Sequence, residues 1–190
     1  MKELSEKFVY ACYLLFLVYW VAASFHTKRT VEKRSSWGLA WLWISIVVFF
    51  LLLRRGGILS LHPGLLLWQW TPVSALVGDG LVLAGLVLCF WARSALGGNW
   101  SASVVFKEGH ELVERGPYHY VRHPIYSGFL LMVLGAAIVY GRLAGFVMFL
   151  VIATGFWFKS IQEEQLLTAH FPEAYPSYKA RVKALIPHVL

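Results

Sequence analysis

The chain is short of charge and short of cysteine. Asp, Glu, Lys and Arg make up 14% of its 190 residues, where a soluble domain carries about 25%. So little charge cannot clothe a globular surface, which excludes an ordinary cytosolic enzyme and a disordered chain alike. The two cysteines, Cys12 and Cys89, lie inside apolar runs with no Cys-x-x-Cys pattern. That excludes a disulfide scaffold and leaves no cysteine-based metal site to expect. Internal repeats and low-complexity tracts are absent. Acid is scarcer than base, with ten Asp and Glu against 17 Lys and Arg and a formal net charge of +7.

Apolar residues are what the chain has in quantity. They form 58% of it, mean hydropathy is +0.62, and they come in long runs rather than as a 3.6-residue stripe. Lipid is therefore the solvent for most of the chain. A membrane helix needs about 20 residues, and five runs approach that length: 8–25, 37–53, 72–92, 124–140 and 143–158. The expected fold is all-α, a polytopic membrane protein of about five transmembrane helices in a single domain over 1–190. Only Gly141 and Arg142 separate the last two runs, which predicts a tight helical hairpin. Pro63, Gly64 and Pro72 break up 58–70, an interfacial or re-entrant piece anchored by Trp68 and Trp70. The first run exceeds the about 7–15 residues of a leader's apolar region, so it is read as a helix that stays.

Lysine and arginine set the orientation. With five crossings, twelve of the 17 fall on the side shared by the loop after the first run, the loop 93–123 and the tail 159–190. Cytoplasmic loops carry this excess, so the tail faces the cytoplasm and the N-terminus lies outside. The basic residues are dispersed beside membrane helices, which suits anionic headgroups and not nucleic acid. The two polar segments thus emerge on one face and can build one site.

The first of them contains Gly116-Pro117-Tyr118-His119-Tyr120-Val121-Arg122-His123-Pro124-Ile125-Tyr126-Ser127-Gly128. Pro124 suits the first turn of a helix, and it pushes His123 out of helical geometry. Arg115 reads as a headgroup anchor, a role open to Arg122 as well. His119 and His123 stand four apart, but the flanking prolines deny them a common helix, and no metal is expected. The second segment carries Glu163-Glu164 at the end of the last run, costly unless hydrated or paired with a cation. Beyond it Tyr175, Tyr178 and Val182 fall at helical spacing among basic residues. This predicts a short amphipathic helix on the membrane surface, ended by Pro187. Asp79, alone among acids inside an apolar run, is assigned a structural place near the outer surface.

Taken together, the Gly-Pro-Tyr-x-Tyr-Val-Arg-His-Pro-x-Tyr-x-Gly string, Glu163-Glu164 and the Phe-x3-Tyr-x2-Tyr that follows resemble the isoprenylcysteine carboxyl methyltransferase family. More broadly, they are similar to the membrane-embedded methyltransferases that include phospholipid N-methyltransferases. The resemblance covers 96–187, with 1–95 supplying N-terminal helices and 96–190 the cofactor-binding half. It implies a cytoplasm-facing pocket for S-adenosylmethionine, formed by the third loop and the tail, and a lipophilic acceptor arriving from the bilayer. Family cofactor contacts map onto His110, Glu111, Leu112 and Val113, then Tyr118, then His123, Pro124, Ile125 and Tyr126, and finally Glu163. Glu164 joins them because the phospholipid enzymes use a paired glutamate. The family's substrate-facing arginine is Lys159 here, a point charge without the two-pronged carboxylate clamp. Either Arg181 supplies that clamp or the acceptor differs.

The chemistry suits those residues on its own terms. A cationic sulfonium donor wants carboxylates, hydrogen-bonding histidines and aromatic faces. An ionised carboxylate acceptor needs no general base, and a dry site favours its union with a cation. The expected activity is methyl transfer from S-adenosylmethionine to the carboxylate of an isoprenylcysteine-like acceptor. An amine acceptor, as in phospholipid N-methylation, would require a base that Glu111 or His123 could supply. A non-enzymatic membrane protein retaining the fold is the more distant alternative.

Overall fold

The apolar runs become helices whose ends are set by proline, glycine and one capping box. The structure is a computed structural model and describes residues 1–25, 30–35, 66–100, 104–107, 109 and 111–187. Its elements are α1 (Lys2–Ser24), β1 (Thr30–Ser35), α2 (Pro72–Leu96), β2 (Val104–Lys107), α3 (Pro124–Tyr140), α4 (Leu143–His170) and α5 (Ala174–Arg181). Among the described residues α1, α2 with its terminal turn, and α4 are long and apolar enough to cross a membrane, and α3 is a shorter apolar helix. The chain is a polytopic, essentially helical membrane protein. The run at 37–53 and most of 58–70 lie outside the described residues.

Local chemistry explains the boundaries. Thr71 and Ser74 cap α2 reciprocally, each side chain taking the other's backbone N–H at 2.9–3.0 Å, and Pro72 fills the first turn, where its missing N–H is no loss. α3 starts on Pro124 and ends at Gly141, whose φ of 61° only glycine adopts without strain. The chain then turns through Arg142 directly into α4.

α2 and α3 run antiparallel at close quarters. A Cβ on Gly128 would stand 2.8 Å from the Gly85 carbonyl, and one on Gly78 would stand 2.6 Å from that of Gly135. Small residues let the backbones meet, the usual route to helix packing in lipid. The core joins Val9, Cys12 and Phe16 of α1, Val82, Leu86 and Cys89 of α2, Phe129, Met132 and Val133 of α3, and Met148 and Ile152 of α4. α1 lies parallel to α2. Ser5 donates to Asp79 at 2.7 Å near one end, and Arg93 of α2 donates to the Ala23 carbonyl at 2.6 Å at the other.

Two features depart from the sequence expectation. An antiparallel ribbon of β1 and β2 pairs Lys33 with Val105 and Thr30 with Lys107. Thr30-Val31 and Val104-Val105-Phe106 are β-favouring residues, and their short ribbon accompanies a fold that is otherwise all-helical among the described residues, as expected. The ribbon also ties the chain after α1 to the chain after α2. The second departure is α5, which ends at Arg181 and not at Pro187. Beyond it the chain leaves the helix and runs beside 121–123, because the N–H groups of Arg122 and His123 donate to the carbonyls of Lys183 and Ala184 at 2.8 and 2.9 Å.

Candidate functional site

Three segments meet at the end of the bundle where α3 begins. They are the stretch 121–123 and, some forty residues further on, the last turns of α4 and then α5 with its tail. About 20 residues of α4 suffice to cross hydrocarbon, so this 28-residue helix carries its charged turns past the apolar stretch 143–158. There the adjacent carboxylates of Glu163 and Glu164 take different surroundings.

Glu164 is 7% exposed and enclosed by donors. Its Oε1 receives Arg122 Nε at 2.9 Å and Nη2 at 2.7 Å, and lies 3.2 Å from His123 Nε2. Its Oε2 pairs with Lys179 Nζ at 2.7 Å. Burial would raise its pKa, but the hydrogen bonds from His123, Lys179 and Arg122 outweigh burial and hold it at about 2. Arg122 reaches on to the carbonyls of Val182 and, at 3.4 Å, Lys179. One buried carboxylate therefore fastens the tail to the start of α3.

Glu163 is less enclosed, its side chain 23% exposed. Its Oε2 accepts from the Tyr126 hydroxyl at 2.7 Å and lies 3.6 Å from His123 Nδ1. Its Oε1 pairs with Lys159 Nζ at 3.4 Å, and that ammonium also sits 5.1 Å from the centre of the Tyr126 ring. The rings form a stack, His123 on Tyr126 at 5.2 Å and Tyr126 on Phe156 at 4.4 Å, both nearly parallel. Ala184 and Leu185 of the tail close on Tyr126, together with Ile125 and Phe156. Ser127 holds the tail there by donating to the Leu185 carbonyl at 2.6 Å.

His123, Tyr126, Lys159, Glu163 and Glu164 therefore come together, with Pro124 buried beneath them. Tyr118 is buried in the turn Gly116–His119, its carbonyl accepting from the Tyr178 hydroxyl at 2.6 Å. Burial, and then the nearby Glu163 charge, push the Tyr118 phenol upward, so it stays protonated. Leu112 packs against Tyr175, Tyr178 and Val182; Val113 is half-buried and Glu111 exposed. His110 lies outside the described residues. Arg181 is exposed and pairs with Glu114 at 3.0 Å. The sequence reading missed Arg122 and Lys179 as partners of Glu164. Arg122 was legible through its place beside His123, whereas nothing local marked Lys179.

Comparison with known proteins identifies the family. The sequence profile of the phospholipid methyltransferase family matches residues 73–174, more than half the chain and including most of the cluster. The chain belongs to the phospholipid methyltransferase family. Within it, the chain is 32% identical over 111 residues to the protein-S-isoprenylcysteine O-methyltransferase of Schizosaccharomyces pombe, covering 57% of this chain and 47% of that one. It is 28% identical over 178 residues to a probable protein-S-isoprenylcysteine O-methyltransferase of Oryza sativa subsp. indica, covering 90% and 88%. It is also 30% identical over 149 residues to methanethiol S-methyltransferase 1 of Bradyrhizobium diazoefficiens, covering 67% and 51%. The chain spans about half the length of the first and third of these relatives. The family match takes in Tyr126, Glu163 and Glu164 and stops at the first residue of α5, so Lys179 and the tail lie beyond it.

Proposed function

We propose that this chain is a membrane methyltransferase that uses S-adenosylmethionine, and that its preferred acceptor is the carboxylate of an isoprenylcysteine-like amphiphile. The observation that carries the reading is the Glu163 carboxylate at the Tyr126 hydroxyl, partly exposed where Glu164 is saturated, with a cation, the Lys159 ammonium, already lying between it and the Tyr126 ring. A carboxylate next to an aromatic face is a seat for a cation, so the residues present fit a sulfonium compound. When bound, S-adenosylmethionine supplies an electrophilic methyl on positively charged sulfur. Glu163 and Tyr126 would bind that charge. His123, held between both glutamates, would orient Glu163, and Tyr118 with the 110–113 segment would flank the remainder. Glu164 would hold the cradle in shape through Arg122 and Lys179.

Lys159 would position the acceptor's carboxylate. Neither ring nitrogen of His123 is offered to an acceptor, since both are turned to carboxylates, and this favours an acceptor that arrives already ionised. Burial of the stacked rings keeps water from the reacting groups. The membrane arrangement belongs to the same proposal: five crossings, the N-terminus outside, the tail and site cytoplasmic. Its support is that α1 and α2 lie parallel, as the expected order of five crossings requires of the first and third runs. The family match itself favours a second reading, methylation of a phospholipid amine.

The test separates them. Purified protein in detergent is incubated with methyl-labelled S-adenosylmethionine and either a farnesylcysteine analogue or total lipid, and the product is treated with alkali. Label released as methanol indicates an ester; label that survives indicates an amine. Glu163→Gln should weaken cofactor binding at least about tenfold, the size of one charge-assisted hydrogen bond. No incorporation into either acceptor, with no heat on titrating the cofactor, overturns the proposal.

A further inference from the structure

The cation seat is filled by the chain itself. Lys159 Nζ stands 3.4 Å from Glu163 Oε1 and 5.1 Å from the Tyr126 ring centre, with its side chain 15% exposed. Glu164, by contrast, has both oxygens committed to Arg122, His123 and Lys179. Of the two carboxylates, only Glu163 can take a new cation, and the nearest charge it must give up is the Lys159 ammonium. Like charges a few ångströms apart in a half-dry site repel strongly.

We propose that Lys159 is a tethered competitor of the methyl donor, its ammonium occupying the place between Glu163 and Tyr126 that the donor's positive charge would take. This rests on the methyl-transfer reading and adds to it a role for Lys159 toward the donor. The flexible four-carbon stem lets the ammonium leave the seat, and a displaced Lys159 is a cation free to meet an anionic acceptor. The competition is one of charge and not of bulk. It opposes the donor, which is cationic at sulfur, more than the spent product, which is neutral there. Lys159 thus lowers donor affinity relative to product affinity, a property that a shape-filling residue would not have.

The experiment is calorimetric titration of the full-length protein in detergent with S-adenosylmethionine and with S-adenosylhomocysteine. Wild type is compared with Lys159→Met, Lys159→Gln and Lys159→Arg; two neutral variants keep the test alive if one fails to fold. Both neutral variants should bind S-adenosylmethionine about tenfold more tightly and S-adenosylhomocysteine less than about threefold more tightly, the difference expected of one unscreened like charge. Lys159→Arg should stay within about threefold of wild type for both ligands, since it keeps the charge. Unchanged or weaker donor binding in the folded neutral variants overturns the proposal. Equal tightening for both ligands overturns it too, since that is relief of bulk. If wild type binds neither ligand, the methyl-transfer reading falls and this one with it.

Discussion

Glu164→Gln removes a single charge from the point where three segments of the chain are fastened together. Both carboxylate oxygens are engaged, at 2.7–3.2 Å, by Arg122, His123 and Lys179. Glutamine would keep one acceptor oxygen and turn an amide donor toward cations. Two routes give the cost. The pKa of about 2, against an ordinary 4.5, corresponds to about 3 kcal/mol at neutral pH, an upper bound. Removing one member of a buried ion pair costs about 3–5 kcal/mol, so about 3 kcal/mol is expected. The folded-state pKa is depressed, so this stability is fully present above about pH 4.5 and is lost as pH falls toward about 2. The assay is unfolding of wild type and variant in one detergent at pH 7 and pH 3. The gap between them should be about 3 kcal/mol at pH 7 and shrink to about 1.5 kcal/mol at pH 3. A gap below about 1 kcal/mol at pH 7, the worth of a surface pair, or one that does not change with pH, would refute the reasoning.

Gly128→Ala puts a methyl 2.7 Å from Cys89 Sγ and 2.8 Å from the Gly85 carbonyl. Overpacking of this kind should cost about 1–3 kcal/mol, and an unchanged unfolding midpoint would mean that α2 and α3 are not in backbone contact. Arg181→Ala breaks an exposed pair with Glu114, which should change stability by less than about 1 kcal/mol and leave the acceptor's KM unaltered. A marked rise in that KM would return the carboxylate clamp to Arg181.

What the sequence made legible followed from what each signal physically reports. Length of apolar run and proline placement predicted α3 and the start of α4 closely, since Pro124 and Gly141 act on their own backbone and need no tertiary partner. The prediction that the two polar segments meet rested on counting crossings, and His123 does come within 3.6 Å of Glu163. The ribbon and the course of the tail were not legible. Both depend on backbone pairing with a distant segment, which leaves no period in the sequence of either partner. The end of α5 shows the competition directly. Local spacing favoured helix to Pro187, but two backbone hydrogen bonds from Arg122 and His123 and the Arg122 guanidinium on the Val182 carbonyl pull the chain out at Arg181.

The neighbouring glutamates explain why a paired acid belongs at this helix end. A carboxylate that binds a ligand's charge must keep capacity to spare, and one that fixes a fold must not. Successive residues on a helix point about 100° apart, so Glu163 and Glu164 face different neighbours although they adjoin in sequence. Glu164 turns to Arg122 and Lys179 and is saturated. Glu163 turns to the edge of the ring stack, where the Tyr126 hydroxyl and the Lys159 ammonium are its partners. His123 touches both, at 3.6 Å from Glu163 and 3.2 Å from Glu164. Exchanging Glu164 for an apolar residue would leave the buried Arg122 guanidinium without its counter-charge and would remove the ion pair that holds Lys179 of α5 to the end of α4. The carboxylate proposed to bind the donor can keep an exposed edge because its neighbour is buried and fully paired.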